Sequence, residues 1–126
     1  MQKKPLRILS IDDDLGCQIA AIRYFTLVGG HMVWTAEDGA EGLKKAAEFL
    51  PDVILLDLNM PDMSGLEVIE ALDANTITRH IPVIMVTGGS LTDAQHADLK
   101  AKKNFIKLQE KPTSFDRLLL ELEAAA

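Results

Sequence analysis

Four apolar runs in this sequence end in polar side chains that could carry out phosphoryl chemistry. These side chains belong to Asp12, Asp13, Asp14, Asp57, Thr87 and Lys111. Carboxylates that converge repel one another unless a cation holds them, and an all-oxygen site suits a hard divalent ion such as Mg²⁺. A carboxylate can also act as the nucleophile toward a phosphoryl group, whose oxygens a hydroxyl and an ammonium can bind. Together these groups would complete a phosphoryl-transfer site.

Within such a site, Asp57 would be the nucleophile that forms an acyl phosphate. Thr87 would donate its hydroxyl to one phosphoryl oxygen, and Lys111 would pair with another. Each residue also has a structural interpretation. An acidic cluster between a strand and a helix commonly caps the helix, and Asp14 is a candidate for that role. The functional interpretation therefore depends on all the parts meeting at the same edge of one sheet.

Five short apolar runs predict β-strands. They are Leu6–Ile11, Met32–Ala36, Val53–Leu58, Ile81–Val86 and Phe105–Leu108. The first, third and fourth runs are almost continuously apolar, as in parallel strands that are covered on both faces. The second and fifth runs are interrupted by polar residues, which is typical of strands at the edge of a sheet.

Helical patterns separate the predicted strands. They cover Ile19–Val28, Glu41–Leu50, Gly65–Leu72, Thr92–Lys102 and Phe115–Leu122. The fourth of these has few apolar residues, so we expect it to be loosely held. The alternation predicts an α/β fold, a flavodoxin-like doubly wound sheet of five parallel strands in the order 2-1-3-4-5 with five helices. We expect residues 1–126 to form one domain, with its ligand site beyond the carboxyl ends of the strands.

The composition limits the classes of function. The 126 residues are 48% hydrophobic with a net charge of −6, which fits one folded domain and argues against direct binding to nucleic acid. No apolar run approaches the roughly 20 residues of a membrane span, and the pattern of a signal peptide is absent. We therefore expect a soluble, cytoplasmic protein. We expect the single cysteine, Cys17, to be a buried structural thiol, and His31, His80 and His96 to lie at the surface.

Longer stretches of the sequence resemble the receiver domains of two-component response regulators. Residues Ile8–Asp14 are similar to the first strand and acidic pair of that family, and residues Asp52–Gly65 are similar to its phosphoacceptor segment. Residues Thr35–Leu43, Ile81–Thr87 and Lys111-Pro112 extend the resemblance over nearly the whole chain.

The resemblance implies that Asp57 accepts a phosphoryl group from a phosphohistidine on a sensor histidine kinase or a histidine phosphotransfer protein. The Mg²⁺ ligands that it implies are Asp12, Asp13, Asp57 and the backbone carbonyl of Asn59. Thr87 and Lys111 would bind the phosphoryl oxygens. The surface formed by the fourth helix, fifth strand and fifth helix would then change and be recognised by a downstream protein. Contact with nucleic acid or a membrane is not implied.

Two features depart from the family's pattern. An aromatic residue usually lies three positions before the lysine, where this sequence has Leu108, and Phe105 lies three residues earlier. Lys111 also follows Thr87 by 24 positions, and Lys102-Lys103-Asn104 replaces the usual Gly-Ala turn. Either the fifth strand is shifted or the loop before it is longer, so the sequence leaves open whether a switch aromatic exists.

Three other functions remain to be weighed against the phosphoacceptor. The first is a receiver-like adaptor that binds partners without being phosphorylated. The second is a receiver excised from a hybrid kinase, although Met1 lies close to the first strand and favours a natural start. The third is an aspartate-nucleophile phosphatase of the haloacid dehalogenase kind, which requires an acid two positions after the nucleophile, where this chain has Asn59. We therefore expect that the protein is not an enzyme.

Overall fold

The computed structural model describes residues 4–61, 63–111 and 113–126, and Asp62 and Pro112, which belong to two of the motifs above, lie outside the described residues. The strands are β1 (Arg7–Ile11), β2 (Met32–Ala36), β3 (Val53–Asp57), β4 (Val83–Thr87) and β5 (Phe105–Glu110). The helices are α1 (Leu15–Leu27), α2 (Gly39–Phe49), α3 (Gly65–Ala74), α4 (Asp93–Lys100) and α5 (Phe115–Ala125). Within these ranges, none of the helices has the length and apolar character needed to cross a membrane.

The strands form one parallel sheet in the order β2-β1-β3-β4-β5, which confirms the predicted flavodoxin-like α/β fold. β3 and β4 are buried along their whole length because they lie inside the sheet. β2 and β5 form its edges and keep several residues exposed or partly exposed. Since all five strands run in the same direction, their carboxyl ends meet along one edge of the sheet.

Two apolar layers cover the faces of the sheet. On one face, α1 and α5 pack through residues such as Phe25 and Leu118. On the other face, α3 packs through Ile69 and Leu72, and α4 adds Leu99. The helices thus bury the faces of the sheet, and the carboxyl edge is left for polar residues.

α1 begins earlier than its apolar pattern predicts. The Asp14 carboxylate accepts a hydrogen bond from the backbone N–H of Cys17 at 3.1 Å and caps the helix, which therefore starts at Leu15 and not at Ile19. The capping role considered for Asp14 is confirmed. Cys17 lies in the first turn of α1 and is exposed, so the prediction of a buried thiol is wrong.

His31 is buried, so the prediction of a surface histidine is wrong at this position, whereas His80 and His96 are exposed. The backbone N–H of Leu6 donates to His31 Nδ1 at 2.9 Å, and His31 Nε2 lies 2.8 Å from the carboxylate of Glu123. Because Nδ1 is an acceptor, the ring proton belongs on Nε2, which donates to Glu123. The histidine therefore ties the segment before β1 to the end of α5.

β5 joins β4 through a bulge. Val83 pairs with Phe105, but Ile84 pairs with Lys107, so Ile106 is an extra residue on β5. Of the two explanations for the long spacing before the lysine, the bulge supports a strand whose register is shifted.

Candidate functional site

The carboxyl ends of β1 and β3 bring three carboxylates together. One oxygen from each of Asp12, Asp13 and Asp57 lies within 4.8 Å of the other two. Asp57 is the last residue of β3 and is only 5% exposed, whereas Asp12 is half-buried and Asp13 is exposed. The predicted acidic group therefore forms at one edge of the sheet, with its most buried member on the central strand.

Two donors hold one oxygen of Asp57. The backbone N–H of Asn59 donates to Asp57 Oδ1 at 3.1 Å, and Lys111 Nζ lies 3.4 Å from the same atom. Both contacts use Oδ1, so neither occupies Oδ2. Because 39% of the Lys111 side chain is exposed, its ammonium stands where the site opens to solvent.

The first residue of α3 packs directly against the backbone of Asp57. A Cβ atom on Gly65 would lie 2.7 Å from Leu58 Cα and 2.9 Å from the carbonyl oxygen of Asp57. The N–H of Gly65 also donates to the Leu58 carbonyl at 2.9 Å. Since no side chain fits at Gly65, the close packing of α3 fixes the backbone on which Asp57 lies.

Burial and a neighbouring charge act on Asp12. Burial raises the pKa of Asp12 to about 6, and the Asp57 carboxylate contributes to the rise. The N–H of Asp14, which donates to Asp12 Oδ1 at 3.0 Å, and the Lys111 ammonium act in the opposite direction. Three crowded carboxylates are stabilised when a cation shares them, and an all-oxygen donor set suits a hard divalent ion.

The buried hydroxyl of Thr87 connects the loops that follow β3 and β4. Thr87 Oγ1 accepts hydrogen bonds from the N–H of Gly89 at 3.0 Å and from Asn59 Nδ2 at 3.2 Å. It also lies 3.3 Å from the Gly89 carbonyl, to which the hydroxyl donates. The N–H of Lys111 donates to the Thr87 carbonyl at 2.7 Å, which fixes the lysine beside β4. Thr87 therefore links the segments that follow β3, β4 and β5.

The structure brings every predicted site residue to the same edge of the sheet: Asp12, Asp13, Asp57, Asn59, Thr87 and Lys111. The contacts of Asn59 are made by its two nitrogens, so its carbonyl as a metal ligand stays a prediction. The bridge from Asn59 to Thr87 was not foreseen. Its only sequence signal is an amide two positions after the acidic end of a strand.

The bulge determines which β5 side chains face the core near α4. An extra residue reverses the alternation of faces, so Phe105 and Leu108 both pack, partly buried, against the apolar layer that contains α3 and α4. Leu108 pairs with Met85 and occupies the position, three residues before Lys111, at which the family usually has an aromatic residue. The aromatic side chain that β5 places on this face is thus Phe105, at the other end of the strand from Lys111.

Comparisons with known proteins agree with this geometry. A family model described as the response regulator receiver domain matches residues 8–123. The transcriptional regulatory protein KdpE of Mycobacterium tuberculosis is 36% identical over 118 residues, which cover 94% of this chain and 50% of KdpE. PrrA of the same species is 39% identical over 95 residues, which cover 75% of this chain and 40% of PrrA. The chain thus spans about half the length of these curated relatives, or less.

Solved structures show the same likeness over nearly the whole chain. The chemotaxis protein CheY4 of Vibrio cholerae has a TM-score of 0.84 at 28% identity, with 98% of this chain and 100% of that chain covered. The signal receiver domain of a LuxO repressor protein from Vibrio parahaemolyticus has a TM-score of 0.83 at 25% identity, with 97% and 90% covered.

Proposed function

The chain belongs to the response regulator receiver family, and from this premise we propose that it is a phosphoacceptor in a two-component phosphorelay. Asp57 would accept the phosphoryl group. The donor would be a phosphohistidine on a sensor histidine kinase or a histidine phosphotransfer protein. The observation that carries the proposal is the position of Asp57, which lies among two further carboxylates with Lys111 Nζ 3.4 Å from its Oδ1.

In the proposed reaction, a carboxylate oxygen of Asp57 attacks the phosphorus of the phosphohistidine. An O–P bond forms while the N–P bond breaks, and the leaving imidazole nitrogen keeps the electron pair and is protonated by solvent. Lys111, which already contacts Asp57, would pair with one phosphoryl oxygen. Thr87 would donate to another after its hydroxyl leaves the Gly89 carbonyl.

We propose Mg²⁺ as the cofactor, held by Asp12, Asp13, Asp57 and the backbone carbonyl of Asn59. When bound, the ion supplies positive charge for the oxygens of the incoming phosphoryl group. The donor set fits this ion because three carboxylates offer oxygens within 4.8 Å of one another. Mg²⁺ also prefers a few carboxylates together with water and phosphate oxygens, which leaves room for the reacting group.

The proposed output is a change at α4, β5 and α5 that another protein recognises. Thr87 now holds Gly89 in the loop before α4, so a phosphoryl oxygen that takes over its hydroxyl would release this loop. Among its described residues, α4 buries only Leu99, so the helix can move at low cost. The net charge of −6 favours a protein over nucleic acid as the downstream partner.

Intact mass after incubation with acetyl phosphate tests the proposal. We expect one phosphoryl adduct that is labile to base, that requires Mg²⁺ and that disappears when EDTA is present. Asp57→Asn should abolish the adduct, whereas Asp98→Asn, a matched change of an exposed aspartate on α4, should leave it unchanged.

If no adduct forms, the experiment is repeated with phosphohistidine donors in place of acetyl phosphate. If those also leave Asp57 unmodified while circular dichroism shows a folded chain, the phosphorylation-independent adaptor becomes the better account. Continuous release of phosphate from p-nitrophenyl phosphate, dependent on Asp57, would instead identify a phosphatase and contradict the expectation that the protein is not an enzyme.

A further inference from the structure

A cavity of about 290 Å³ lies between the sheet, α1 and α5. Its walls are mostly apolar and include Ala21 from α1, Leu55 from β3, Val86 from β4 and Leu118 from α5. Protein interiors are packed almost as densely as organic crystals, and this space differs from them because it is a cleft that opens to solvent on one side. An apolar cavity of only about 150 Å³ is already large enough for benzene. This cavity therefore has room for a molecule somewhat larger than a single ring.

The charges at one end of the cavity limit what it can bind. Asp12, Asp57 and Lys111 line that end, so two carboxylates face one ammonium. In the metal-free protein, this excess of negative charge disfavours an anion. A cation that passed beyond the carboxylates would lose its hydration against the apolar walls. The combination favours a neutral molecule.

Two further side chains give the cavity a polar anchor and an entrance. Thr113 lines it, and Thr113 Oγ1 is closed to water without a hydrogen-bond partner among the residues that the structure describes. A buried hydroxyl without a partner is unfavourable, and an oxygen on a bound molecule would supply one. Cys17 lines the same cavity from the exposed side of α1 and marks where it opens to solvent.

We propose that this cavity is a binding site for a small neutral molecule that has an apolar, ring-sized body and one hydroxyl group. The body would fill the space beside Ala21 and Leu118, and its oxygen would accept a hydrogen bond from Thr113. Because the cavity shares Asp57 and Lys111 with the phosphoacceptor site, binding and phosphorylation would influence each other if the proposed function is right. Binding itself does not depend on that function.

Titration of the metal-free protein with benzyl alcohol, followed by ¹H–¹⁵N chemical shifts, tests the site without any phosphorylation step. We expect saturable shifts at the residues that line the cavity, with a Kd of about 1 mM for a molecule of this size. Toluene, which lacks the hydroxyl, should bind about fivefold more weakly. Benzoate, which has the same ring with a negative charge, should bind at least tenfold more weakly.

Two adjacent alanines on α1 provide a matched pair of variants. Ala21→Leu puts extra carbon atoms into the cavity and should weaken benzyl alcohol binding at least tenfold. Ala20→Leu adds the same atoms on the outer side of the helix, where Ala20 lines a different groove, and should leave the Kd within twofold. Leu118→Phe, which fills the cavity from α5, replaces Ala21→Leu if that variant does not fold by circular dichroism.

Thr113→Val distinguishes a specific binding site from a nonspecific apolar one. The change removes the hydroxyl while keeping the shape, so the fivefold preference for benzyl alcohol over toluene should vanish. The proposal is overturned if benzyl alcohol gives no saturable shifts, if Ala21→Leu and Ala20→Leu bind it equally, or if benzoate binds as tightly as the alcohol. Each of these results would leave the phosphorylation of Asp57 untouched, so the two proposals can fail separately.

Discussion

α3 and α4 lie on the same face of the sheet, yet they differ in how many of their side chains are buried against it. α3 follows Asp57 after a short segment and buries Val68, Ile69 and Leu72, and its first residue, Gly65, touches the backbone of Asp57. α4 follows Thr87 after an exposed loop and, among its described residues, buries only Leu99.

The contrast assigns different mechanical roles to the two halves of the site. The half on β1 and β3, which carries the acids, rests on a helix that cannot shift without opening the core. The half on β4, which carries Thr87, is followed by a helix with little buried surface. A ligand that engages both halves would therefore leave the acids in place and move the loop before α4.

Removing one buried leucine from each helix is the strongest test of this contrast. We expect Leu72→Ala to lower the free energy of unfolding by about 3 kcal/mol, because it creates a cavity under a helix that unfolds only with the whole domain. Leu99→Ala should cost less, about 1–2 kcal/mol, because the loss is limited to the small free energy that holds α4 in place. Urea unfolding followed by circular dichroism measures both, and equal losses would break the contrast.

Two glycines allow the same comparison at the start of each connection. Gly65→Ala should destabilise by about 2 kcal/mol, because its Cβ would meet backbone atoms of Leu58 and Asp57 below 3.0 Å. Gly88→Ala should change stability by less than about 0.5 kcal/mol, because the nearest atom to its Cβ is Lys111 Cδ at 3.9 Å. Thermal unfolding of both variants checks this, and a Gly65→Ala protein as stable as the parent would show that the α3 half is not rigid.

Local pattern was sufficient to predict the sheet and the edge at which the candidate site residues lie. Continuous apolar runs marked the central strands, and the parallel topology then placed Asp57, Thr87 and Lys111 at one edge without any knowledge of side-chain contacts. The sequence pattern of α4 also predicted its weak packing, because the helix has few apolar residues to bury.

The features that were missed depend on partners distant in the sequence. His31 is buried because Glu123, 92 residues away, accepts from its ring. The extra residue Ile106 is defined only by the pairing of β5 with Val83 and the residue after it. Cys17 was misplaced because the buried face of α1 is set by packing against the rest of the domain, and that face carries Gln18, Ala21 and Phe25.

Substitution of Asp12 tests the repulsion between the carboxylates in the half of the site on β1 and β3. The folded pKa of Asp12, about 6, lies above the ordinary 3.8, so the folded chain retains a proton that the unfolded chain releases. The metal-free protein therefore loses stability from this group as the pH rises through about 6. Asp12→Asn should be more stable than the parent at pH 7.5 by about 1 kcal/mol, after allowance for partial exposure. At pH 4.5 the difference should shrink by more than half.

Thermal unfolding of both proteins in EDTA between pH 4.5 and 7.5 gives this difference directly. Addition of Mg²⁺ should reverse its sign at pH 7.5, because the parent would bind the ion more tightly than the variant. If the stability difference between the two proteins does not change with pH, the pKa of Asp12 is not raised in the folded chain. The carboxylates on β1 and β3 would then repel one another no more than those on an ordinary surface.

The helix caps give the smallest and most discriminating comparison. Ser64 Oγ accepts from the Glu67 N–H at the start of α3, and Thr92 Oγ1 accepts from the Gln95 N–H at the start of α4. Each cap contributes about 0.5–1 kcal/mol to its helix. Ser64→Ala should therefore lower the global free energy of unfolding by that amount. Thr92→Ala should leave the value measured from the main urea transition nearly unchanged, because α4 opens at lower urea than the rest of the domain. It should instead speed amide hydrogen exchange within α4 about fivefold in the absence of urea. If Thr92→Ala lowers the global value as much as Ser64→Ala does, α4 belongs to the same cooperative unit as α3, and the loop after Thr87 would have no separate element to move.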